Sequence, residues 1–565
     1  MCVPGRRNGV YTESTSALSH LAADRSEALV EITIGELLRQ NAAAAPDRLA
    51  LVEGTPDRGM RRTWTYAELL STAETVAAAL LARFPPGERI AVWAPNRAEW
   101  VLLQQGAALA GLVLVTVNPA YRAAELGYVL RQSRVSGIFH DGVYRDYDMA
   151  AAVAQHLGTL PDLREIVCFD DWATFLSRAD MGRPLPTVNP QDPAQIQYTS
   201  GTTGAAKGAV LHHRGVVNAS RFVALRSDFR PGEVWVNAMP MFHVGGGVLT
   251  EIGAFSQRGT YVLATEFEPE LLLELIESYR GTITLLVPTM LSALLRHPDL
   301  AVRDMSGLRT VMSGSTVVPA ALVDRVRTSL GCNLTIVFGQ TELHGVITQT
   351  EVDDPPENQS TTIGRPLPQV EVKIVDPATG ETLPRGHPGE ICARGYQTML
   401  GYFERPEESA ATLDTAGWLH TGDIGEMDGR GYLTITGRLK DMIIRGGENV
   451  YPRELEDLLH TYPGIAEVAV IGIRDEHWGE RVAAVVSPVD QLSPPDPRQL
   501  REHCRTHLAQ YKAPTDWFFT RALPRTPTGK IQKFILRRRV ETGELTPTLV
   551  AAESNGETSE LDSGR

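Results

Sequence analysis

The chain has 565 residues, of which 43% are hydrophobic and 22% charged, and its formal net charge is −14. This length exceeds that of one ordinary domain, so a soluble globular protein with two or more domains is expected. The acidic balance argues against a general nucleic-acid binder, which normally carries a basic face. The longest apolar run, residues 107–117, is too short for a membrane-spanning helix, which takes about 20 residues.

The cysteines and the N-terminus indicate a cytoplasmic protein. The five cysteines are far apart and form no C-x-x-C pair; they are Cys2, Cys168, Cys332, Cys392 and Cys504. We expect reduced thiols, with neither a disulfide framework nor a zinc site. The first residues, Met-Cys-Val-Pro-Gly-Arg-Arg-Asn, lack the apolar core of a signal peptide.

Two capping boxes follow a lead-in, residues 1–28, for which no regular structure is predicted. Thr33 is followed three positions later by Glu36, and Thr65 by Glu68. In this pattern the hydroxyl and the carboxylate each accept a hydrogen bond from a free backbone N–H group at the start of a helix. Each pair therefore predicts the first turn of a helix.

Short apolar strands then alternate with amphipathic helices. The predicted strands are 89–94, 234–238, 260–264, 282–287, 308–312 and 334–337, the predicted helices include 123–132, 269–279 and 320–330, and residues 107–117 are predicted to be a buried helix leading into a strand. Strands that are apolar throughout and separated by helices indicate an α/β fold of mainly parallel sheets covered on both faces. Ligands are expected at the loops that follow the strands.

Beyond residue 365 the pattern changes. The predicted elements are antiparallel strands at 370–375, 389–394 and 432–436, and then helix 452–460, strands 467–473 and 481–487, helix 497–510 and strand 517–519. This pattern predicts a small antiparallel β subdomain followed by a small α+β domain. The predicted organisation is a lead-in at 1–28, an N-terminal domain at 29–437, a short connecting segment at 438–443, a C-terminal domain at 444–545 and a disordered tail at 546–565.

The stretch Tyr198-Thr-Ser-Gly-Thr-Thr-Gly-Ala-Ala-Lys-Gly208 is rich in groups that bind anions. Its candidate ligands for phosphate are Thr199, Ser200, Gly201, Thr202, Thr203, Gly204 and Lys207. Glycines allow close backbone approach, and free N–H groups, hydroxyls and a lysine hold anionic oxygens. A mobile polar surface loop is the alternative. Ala206 and Gly208 flank the lysine, so the stretch is not a Walker loop.

This motif closely resembles the phosphate-binding loop of the adenylate-forming superfamily, which contains acyl-CoA synthetases, adenylation domains and firefly-type luciferases. The resemblance implies ATP as a co-substrate and a Mg²⁺ ion. It also directs attention to motifs further along the chain, where each residue has a structural alternative.

The segment 334–342 ends in a carboxylate after a strand and resembles the family motif Y-G-x-T-E. The resemblance implies that the nucleotide is lined by Gly314, Ser315, Val337, Phe338, Gly339, Gln340, Thr341 and Glu342. Phe338 replaces the usual tyrosine and leaves an aromatic face without a hydroxyl. Mg²⁺ is typically held through one or two carboxylates plus substrate phosphates, a role that Glu342 fits. In isolation Glu342 would be a solvated acid at the start of a loop.

The segment 418–423, Trp-Leu-His-Thr-Gly-Asp, resembles the motif that binds the ribose of the nucleotide. A carboxylate can accept hydrogen bonds from both ribose hydroxyls, which suits Asp423. Arg438 would make the second ribose contact. Each residue alone is an ordinary turn or surface residue, and the spacing of the pair is what resembles the family.

Three further functions are implied by the resemblance alone. Lys440 would be the hinge about which the C-terminal domain pivots, and the residues predicted to line the pantetheine tunnel of CoA are Arg445, Gly446, Gly447 and Glu448. Lys530, in Thr-Pro-Thr-Gly-Lys, would offset the charge that develops on the α-phosphate during the first half-reaction. Lys533 and residues 537–539 could contact CoA phosphates, or could form a solvated basic helix.

The acid is expected near the segment Met-Pro-Met-Phe-His-Val-Gly-Gly-Gly, residues 239–247. The predicted pocket residues are Met241, His243, Val244 and His344, and His243 is also a candidate catalytic residue that could equally be structural. No function is assigned to His212 or His213. Residues 117–131 resemble fatty-acyl-CoA synthetases in particular, which favours a medium- or long-chain fatty acid; branched, alicyclic and aryl acids stay open.

The sequence therefore predicts an AMP-forming acid–thiol ligase with Lys530, Glu342, Thr199, Lys207 and His243 as catalytic candidates. A carboxylate would attack the α-phosphate of Mg·ATP to give acyl-AMP and pyrophosphate, and the thiol of CoA would then displace AMP. Three alternatives stay open: a ligase that loads a carrier protein's phosphopantetheine, a luciferase-like oxygenase, and a nucleotide-binding protein without ligase activity. No nucleic-acid partner is expected.

Overall fold

The computed structural model describes residues 17–199, 206–316, 318–446, 448–475, 477–525 and 531–548. The chain divides into two compact units. The first comprises Met1–Thr421 and Gly425–Ile435, and the second comprises Gly422–Ile424 and Thr436–Arg565. The larger unit contains three of the main sheets, and the smaller one contains the fourth.

The first sheet of the larger unit is parallel except at one edge. Its spatial order is Lys207–His212, Pro193–Thr199, Val113–Val117, Arg89–Trp93, Gly137–His140, Glu165–Cys168. The edge strand Lys207–His212 runs antiparallel to Pro193–Thr199, with Thr199 opposite Lys207. The predicted phosphate-binding loop therefore connects two adjacent antiparallel strands.

The second sheet has nine strands and is parallel through its centre. Its order is Arg365–Pro366, Thr348–Gln349, Asn333–Phe338, Thr310–Gly314, Ile283–Leu285, Val234–Asn237, Thr260–Ala264, Leu49–Gly54, Thr63–Thr65. The two strands at one edge and the single strand at the other are antiparallel to their neighbours. The predicted α/β class with mainly parallel sheets is confirmed.

Helices cover these sheets. In the larger unit they are Ile34–Ala44, Tyr66–Leu81, Ala98–Ala110, Ala123–Gln132, Met149–Ala154, Trp172–Leu176, His213–Arg226, Glu251–Ser256, Pro269–Ser278, Pro288–Leu294, Ala320–Leu330, Pro356–Thr361 and Pro406–Thr412, with a π-helix at Gly245–Thr250. Both capping boxes are confirmed, because Thr33 and Glu36, and likewise Thr65 and Glu68, bond each other's backbone N–H groups. Among the described residues, no helix is both long enough and apolar enough to cross a membrane.

The third sheet contains the three predicted antiparallel strands and two that were not predicted, His20–Leu21 and Leu419–Met427. Its order is His20–Leu21, Val370–Val375, Gly389–Gly395, Leu419–Met427, Leu433–Arg438. His20 pairs with Lys373, and its Nε2 lies 2.7 Å from Oε1 of Glu371. The prediction of an unstructured lead-in is therefore wrong for this part of residues 1–28. A two-residue strand has too few positions to show a periodicity, and its partner lies far along the chain.

The second unit is a small α+β fold, as predicted. Its sheet has the order Glu448–Val450, Ile443–Arg445, Gly479–Pro488, Ile465–Asp475, with Asp516–Phe519 paired to Gly479–Pro488, and its helices are Pro452–His460, Pro497–His507 and Lys533–Glu541. Of the predicted tail, 546–565, the structure describes residues 546–548, and residues 549–565 lie outside the described part. At its start, the backbone N–H of Thr548 donates to the carbonyl of Trp517 at 2.8 Å, so the described contacts of the second unit reach residue 548, beyond the predicted boundary at 545.

Candidate active site

Lys207, Tyr402 and Glu342 lie together in the larger unit. The Nζ of Lys207 is 5.1 Å from the centre of the Tyr402 ring. The hydroxyl of Tyr402 donates to Oε1 of Glu342 at 2.7 Å. A cation over an aromatic face is attracted by the negative charge density of the ring. The predicted phosphate-binding lysine and the predicted metal-binding carboxylate are therefore joined through one tyrosine.

Backbone pairing brings Tyr402 to Lys207. The N–H of Val210 donates to the carbonyl of Gly401 at 2.9 Å, and the N–H of Phe403 donates to that of Gly208 at 2.8 Å. The segment containing Tyr402 thus continues the edge of the first sheet, beside the strand that begins at Lys207. The position of the tyrosine is set by main-chain hydrogen bonds, not by a flexible loop.

Glu342 lies in a 3₁₀ turn, Thr341–Leu343, that follows the strand Asn333–Phe338. The carbonyl of Glu342 accepts from the N–H of Met399 at 2.9 Å, and the residue is only 8% exposed. Gly339 permits the turn, because a Cβ there would lie 2.4 Å from the carbonyl oxygen of Gly345. A larger residue at this position would push the segment that carries the carboxylate out of place.

The other predicted nucleotide segment ends on the neighbouring parallel strand. Gly314 is opposite Val337, and a Cβ on Gly314 would lie 2.2 Å from the Val337 carbonyl oxygen. Ser315 follows with φ of 67°, a left-handed conformation that a non-glycine residue adopts at a cost of about 1–3 kcal/mol. The structure therefore brings together the strand ends at Gly314 and Phe338, where the sequence predicted a ligand.

Several predicted residues lie outside the described part of the chain. These are Ser200, Gly201, Thr202, Thr203 and Gly204 in the phosphate loop, Gly447 in the CoA segment, and Lys530. Thr199 is described, and its Oγ1 lies 3.5 Å from the carbonyl oxygen of Lys207. The roles predicted for the undescribed residues stay predictions.

Asp423 and Arg438, both predicted to contact the ribose, form an ion pair. The Nε of Arg438 lies 2.8 Å from Oδ1 of Asp423, whose side chain is 6% exposed while that of Arg438 is 47% exposed. The ion pair holds the Asp423 carboxylate in place as a hydrogen-bond acceptor, and the Arg438 guanidinium beside it can donate. That arrangement suits two adjacent ribose hydroxyls.

The predicted hinge and CoA residues lie at the start of the second unit. Lys440 is exposed in the 3₁₀ turn Leu439–Asp441. Arg445 and Glu448 are opposite each other in a hairpin, and Gly446 turns between them with φ of 60°. A Cβ on Gly446 would lie 2.8 Å from the ring of Trp478, so only glycine fits this packing.

The basic helix at the C-terminus uses its charges within the second unit. The Nζ of Lys533 lies 2.7 Å from Oε1 of Glu456, an Arg537 nitrogen lies 3.7 Å from Asp441, and Nε of Arg539 lies 3.2 Å from Glu544. Of the two alternatives given for these residues, CoA contact or a basic helix, the structure shows the helix, Lys533–Glu541. The described ion pairs favour a structural role over CoA binding.

The segment predicted to admit the acid, residues 239–247, leads into a π-helix at Gly245–Thr250. His243 is partly exposed, and its Nδ1 accepts from the N–H of Gly245 at 3.2 Å. Close backbone approach requires two of the glycines, since a Cβ on Gly246 or Gly247 would lie within 2.4 Å of a carbonyl oxygen. π-helical turns are frequent at functional sites.

The other three predicted pocket residues are core residues. Met241 is 1% exposed, Val244 is 4% exposed and His344 is 0% exposed. The Nε2 of His344 accepts from the N–H of His212 at 3.1 Å, and its Nδ1 lies 2.7 Å from the carbonyl oxygen of Gln397. Burial lowers the pKa of His344 to about 3, so the ring is neutral. Direct contact between this ring and an acid is not expected, because both ring nitrogens bond the main chain.

Two functional candidates were not found from the sequence. Tyr402 lies 60 residues beyond Glu342, and a tyrosine in a Gly-Tyr-Phe segment carries no signal by itself. Glu251 is fully buried, and it accepts hydrogen bonds from Gln104 at 2.9 Å and Gln105 at 2.8 Å. Burial raises the pKa of Glu251 to about 8. A glutamate in an apolar helix would have to be recognised as buried before this shift could be predicted.

Comparison with known proteins defines the class. A family model described as AMP-binding enzyme matches residues 38–403, and one described as AMP-binding enzyme C-terminal domain matches residues 454–530. The chain therefore belongs to the AMP-binding enzyme family, the adenylate-forming enzymes. The resemblance drawn from the motifs is confirmed, and with it, at the level of the family, an AMP-forming acid–thiol ligase.

Individual relatives match over nearly the whole chain. The putative acyl-CoA synthetase YngI of Bacillus subtilis (strain 168) is 36% identical over 540 residues, 90% of this chain and 97% of that protein. The mitochondrial medium-chain acyl-CoA ligase ACSF2 of Danio rerio is 33% identical, over 93% of this chain and 91% of that protein.

Solved structures agree in fold. The Mycobacterium tuberculosis fatty acyl CoA synthetase is similar with a TM-score of 0.75 and 32% identity, over 90% of this chain and 99% of that one. The o-succinylbenzoate CoA synthetase MenE of Bacillus subtilis, in complex with its acyl-adenylate intermediate, has a TM-score of 0.77 and 27% identity, over 90% and 99%. The acids named for these relatives differ.

Proposed function

We propose that this protein is an ATP-dependent acyl-CoA synthetase that activates a medium- or long-chain fatty acid. An oxygen of the acid's carboxylate attacks the α-phosphorus of ATP, pyrophosphate leaves, and acyl-AMP forms. The sulfur of CoA then attacks the acyl carbon, AMP leaves, and the thiol proton passes to solvent. The single observation that supports the first step most directly is the contact of Tyr402 with both Lys207 and Glu342.

The chemistry of these side chains suits Mg·ATP. Lys207 begins the strand after the phosphate loop and supplies a positive charge for phosphate oxygens. Glu342 supplies a carboxylate, the ligand type that Mg²⁺ prefers, and Mg²⁺ would enter with ATP as part of the substrate. Tyr402 holds the carboxylate in one orientation by its hydrogen bond, so less freedom is lost when the metal–nucleotide complex binds.

The remaining residues fit the rest of the nucleotide and the second step. The Asp423–Arg438 pair is the proposed ribose site, and the face of Phe338 is proposed for adenine. Lys530 is the proposed counter-charge to the α-phosphate. Lys440 is the proposed hinge, and the hairpin at Arg445 and Gly446 is proposed to contact the pantetheine arm of CoA.

A fatty acid is favoured by the sequence of residues 117–131 and by the printed names of two relatives, a medium-chain acyl-CoA ligase and a fatty acyl CoA synthetase. The segment 241–248 contains no lysine or arginine that could pair with a second carboxylate of a diacid. His243 is proposed to lie at the mouth of the acid site, since it is the partly exposed residue of the four predicted ones.

The proposal is tested by pyrophosphate exchange into ATP in the presence of a panel of acids. Saturated fatty acids of increasing length are compared with alicyclic, aryl and dicarboxylic acids of similar volume. We expect exchange to depend on added acid and to be strongest with a fatty acid. Exchange with none of the acids would contradict adenylation, and exchange strongest with an aryl or alicyclic acid would contradict the proposed substrate class.

The acceptor is tested separately. Acyl-AMP formed in the first assay is offered CoA or a carrier protein bearing phosphopantetheine, and thioester is measured by mass. Thioester formation with CoA is expected. Exchange without CoA thioester, together with loading of the carrier protein, would make the protein a carrier-loading ligase.

A further inference from the structure

Glu390, Cys392 and His420 form a compact cluster in the larger unit that the proposed function does not use. Nδ1 of His420 lies 2.7 Å from Oε2 of Glu390 and 3.5 Å from Sγ of Cys392. One nitrogen, one sulfur and one oxygen atom thus lie within 4.8 Å of one another. Such a set of donor atoms is the kind that holds a transition metal in proteins.

Strand pairing assembles the cluster. Glu390 and Cys392 are two positions apart on the strand Gly389–Gly395, so their side chains leave the same face of the sheet. His420 is the second residue of Leu419–Met427, the neighbouring strand. Because all three residues lie on regular strands, the spacing of the donor atoms is fixed by the backbone.

Two of the three side chains are buried and the third is partly exposed to solvent. Glu390 is 6% exposed and Cys392 is 0% exposed. The side chain of His420 is 32% exposed. An ion could therefore enter from the side of the histidine and would meet two buried donors behind it.

We propose that Glu390, Cys392 and His420 bind one Zn²⁺ ion, with water completing the coordination. Bond lengths at tetrahedral Zn²⁺ place a thiolate sulfur and an imidazole nitrogen about 3.5 Å apart, close to the separation found here. The glutamate and the histidine would separate by roughly half an ångström when the metal replaces the hydrogen bond between them. Mg²⁺ and Ca²⁺ do not suit the set, because they prefer oxygen ligands throughout.

The surroundings of the histidine favour this role. Oδ2 of Asp414 lies 3.9 Å from Nε2 of His420, on the side of the ring away from Glu390 and Cys392. This distance is longer than a hydrogen bond; a carboxylate that hydrogen-bonds the other ring nitrogen orients a metal-binding imidazole and raises its basicity, and Asp414 is the carboxylate placed to approach for that role. The nearby cation Lys373 is the strand partner of Cys392. Its Nζ lies 4.4 Å from the centre of the Trp418 ring, so its charge already has a partner in the structure.

Metal binding would tie together the two strands of the third sheet. Thr421, next to His420, already donates from Oγ1 to the carbonyl of Ile391 at 2.7 Å. A Zn²⁺ ion bonded to Cys392 and His420 would add a second link between these strands. We therefore expect Zn²⁺ to raise the melting temperature of the protein, because it binds the folded chain.

The test is a metal titration of the full-length protein after treatment with a chelator and its removal. Co²⁺ serves as the spectroscopic probe, and Zn²⁺ is then added to displace it. We expect one Co²⁺ per chain, with visible bands of tetrahedral Co²⁺ and a thiolate-to-metal charge-transfer band. Cys392→Ser should lose the charge-transfer band, and His420→Gln, which removes a proposed ligand, should weaken Co²⁺ binding by at least the roughly tenfold to 100-fold that loss of an outer-shell partner costs.

Matched controls are Cys332→Ser, which removes another buried thiol, and His460→Gln, which removes an exposed imidazole. Both should bind Co²⁺ as the unchanged protein does. The proposal is overturned if the unchanged protein gives no charge-transfer band, or if the band survives in Cys392→Ser. The absence of a charge-transfer band in the unchanged protein is tested without any variant, so the proposal can be overturned even if Cys392→Ser does not fold. A melting temperature that Zn²⁺ does not raise would also count against it.

Discussion

The hydroxyl of Tyr402 donates a hydrogen bond to Oε1 of Glu342 at 2.7 Å, across 60 residues of sequence. The same ring lies beside the ammonium group of Lys207. Burial, reinforced by the charge of Glu342, raises the pKa of Tyr402, so its proton stays in place to donate. One tyrosine thus orients the two charged groups that are proposed to hold Mg·ATP.

Tyr402→Phe tests this relationship, because it removes the hydroxyl and keeps the ring over Lys207. A hydrogen bond to a charged group contributes about 1.5–3 kcal/mol, so we expect kcat/KM for adenylation to fall about tenfold to 100-fold. Pyrophosphate exchange measures it. Tyr432→Phe is the control, since Tyr432 donates to the carboxylate of Asp354 away from these residues. Equal losses in the two variants would contradict a specific role for Tyr402.

Asp423→Asn tests the proposed ribose site. The amide keeps the shape of the side chain and loses the charge that pairs with Arg438. We expect the KM for ATP to rise about tenfold while the KM for the acid changes little, because a charged acceptor binds hydroxyls more strongly than a neutral one. Steady-state kinetics at fixed acid measure both constants. Asp376→Asn is the control, because Asp376 is partly exposed and its Oδ1 accepts from the N–H groups of Ala378 and Thr379. An unchanged KM for ATP in Asp423→Asn would remove the assignment.

Lys530→Ala is expected to abolish adenylation and to spare thioester formation from supplied acyl-AMP. Only the first step develops charge at the α-phosphate, so only that step needs the ammonium group. The two half-reactions are measured separately, with Lys512→Ala as the control, because Lys512 forms an ion pair with Glu454 within the second unit. Similar losses in both half-reactions would refute the proposed division.

Lys440→Pro is expected to slow the CoA step selectively. Proline fixes φ near −65°, which would restrict the rotation proposed at the turn Leu439–Asp441. Lys440→Ala keeps that rotation and removes the charge, so it separates the two effects. The rates of adenylation and thioester formation are compared in single-turnover experiments. A CoA step that proceeds normally in Lys440→Pro would leave Lys440 without a hinge role.

Glu251→Gln should change how stability depends on pH. The folded pKa of Glu251 is raised to about 8, above its ordinary value of 4.5. A group with a raised folded pKa stabilises the fold below its unfolded pKa, and this contribution is lost as the pH rises through about 8. Between about pH 5 and about pH 9 the unchanged protein should therefore lose up to about 4 kcal/mol of stability that Glu251→Gln retains.

Melting temperatures of both proteins across this range measure the effect. The exposed Glu270→Gln should follow the unchanged protein at every pH. If the melting temperatures of Glu251→Gln and the unchanged protein depended on pH in the same way, the pKa of Glu251 would be equal in the folded and unfolded chains, which would contradict the raised pKa.

The local elements of this protein could be predicted from short segments. The capping boxes at Thr33 and Thr65 begin helices, and the predicted helices 123–132 and 320–330 have those bounds in the structure. Periodicity and capping depend on residues within a few positions of one another, so the sequence contains them directly. For the same reason the family could be recognised from contiguous motifs.

The contacts between distant segments could not be predicted in this way. His20–Leu21 joins a sheet whose partner strand begins at Val370, and Tyr402 reaches Glu342 only because its segment continues the edge of the first sheet. The sequence predicts that His344 lines the acid pocket, whereas in the structure its backbone is left-handed and its ring is fully buried in the core.

The amino-acid sequence by itself determined the class of enzyme and the segments proposed to hold the nucleotide, because each of those signals is contained in one short stretch. Only the tertiary structure decided which side chains meet. The spacing of the cysteines in the sequence gives no sign of a cluster, and pairing of two strands brings Cys392 to His420, 28 residues away. The physical reason is that strand register and burial are set by the whole fold, so donor atoms can converge without any local pattern.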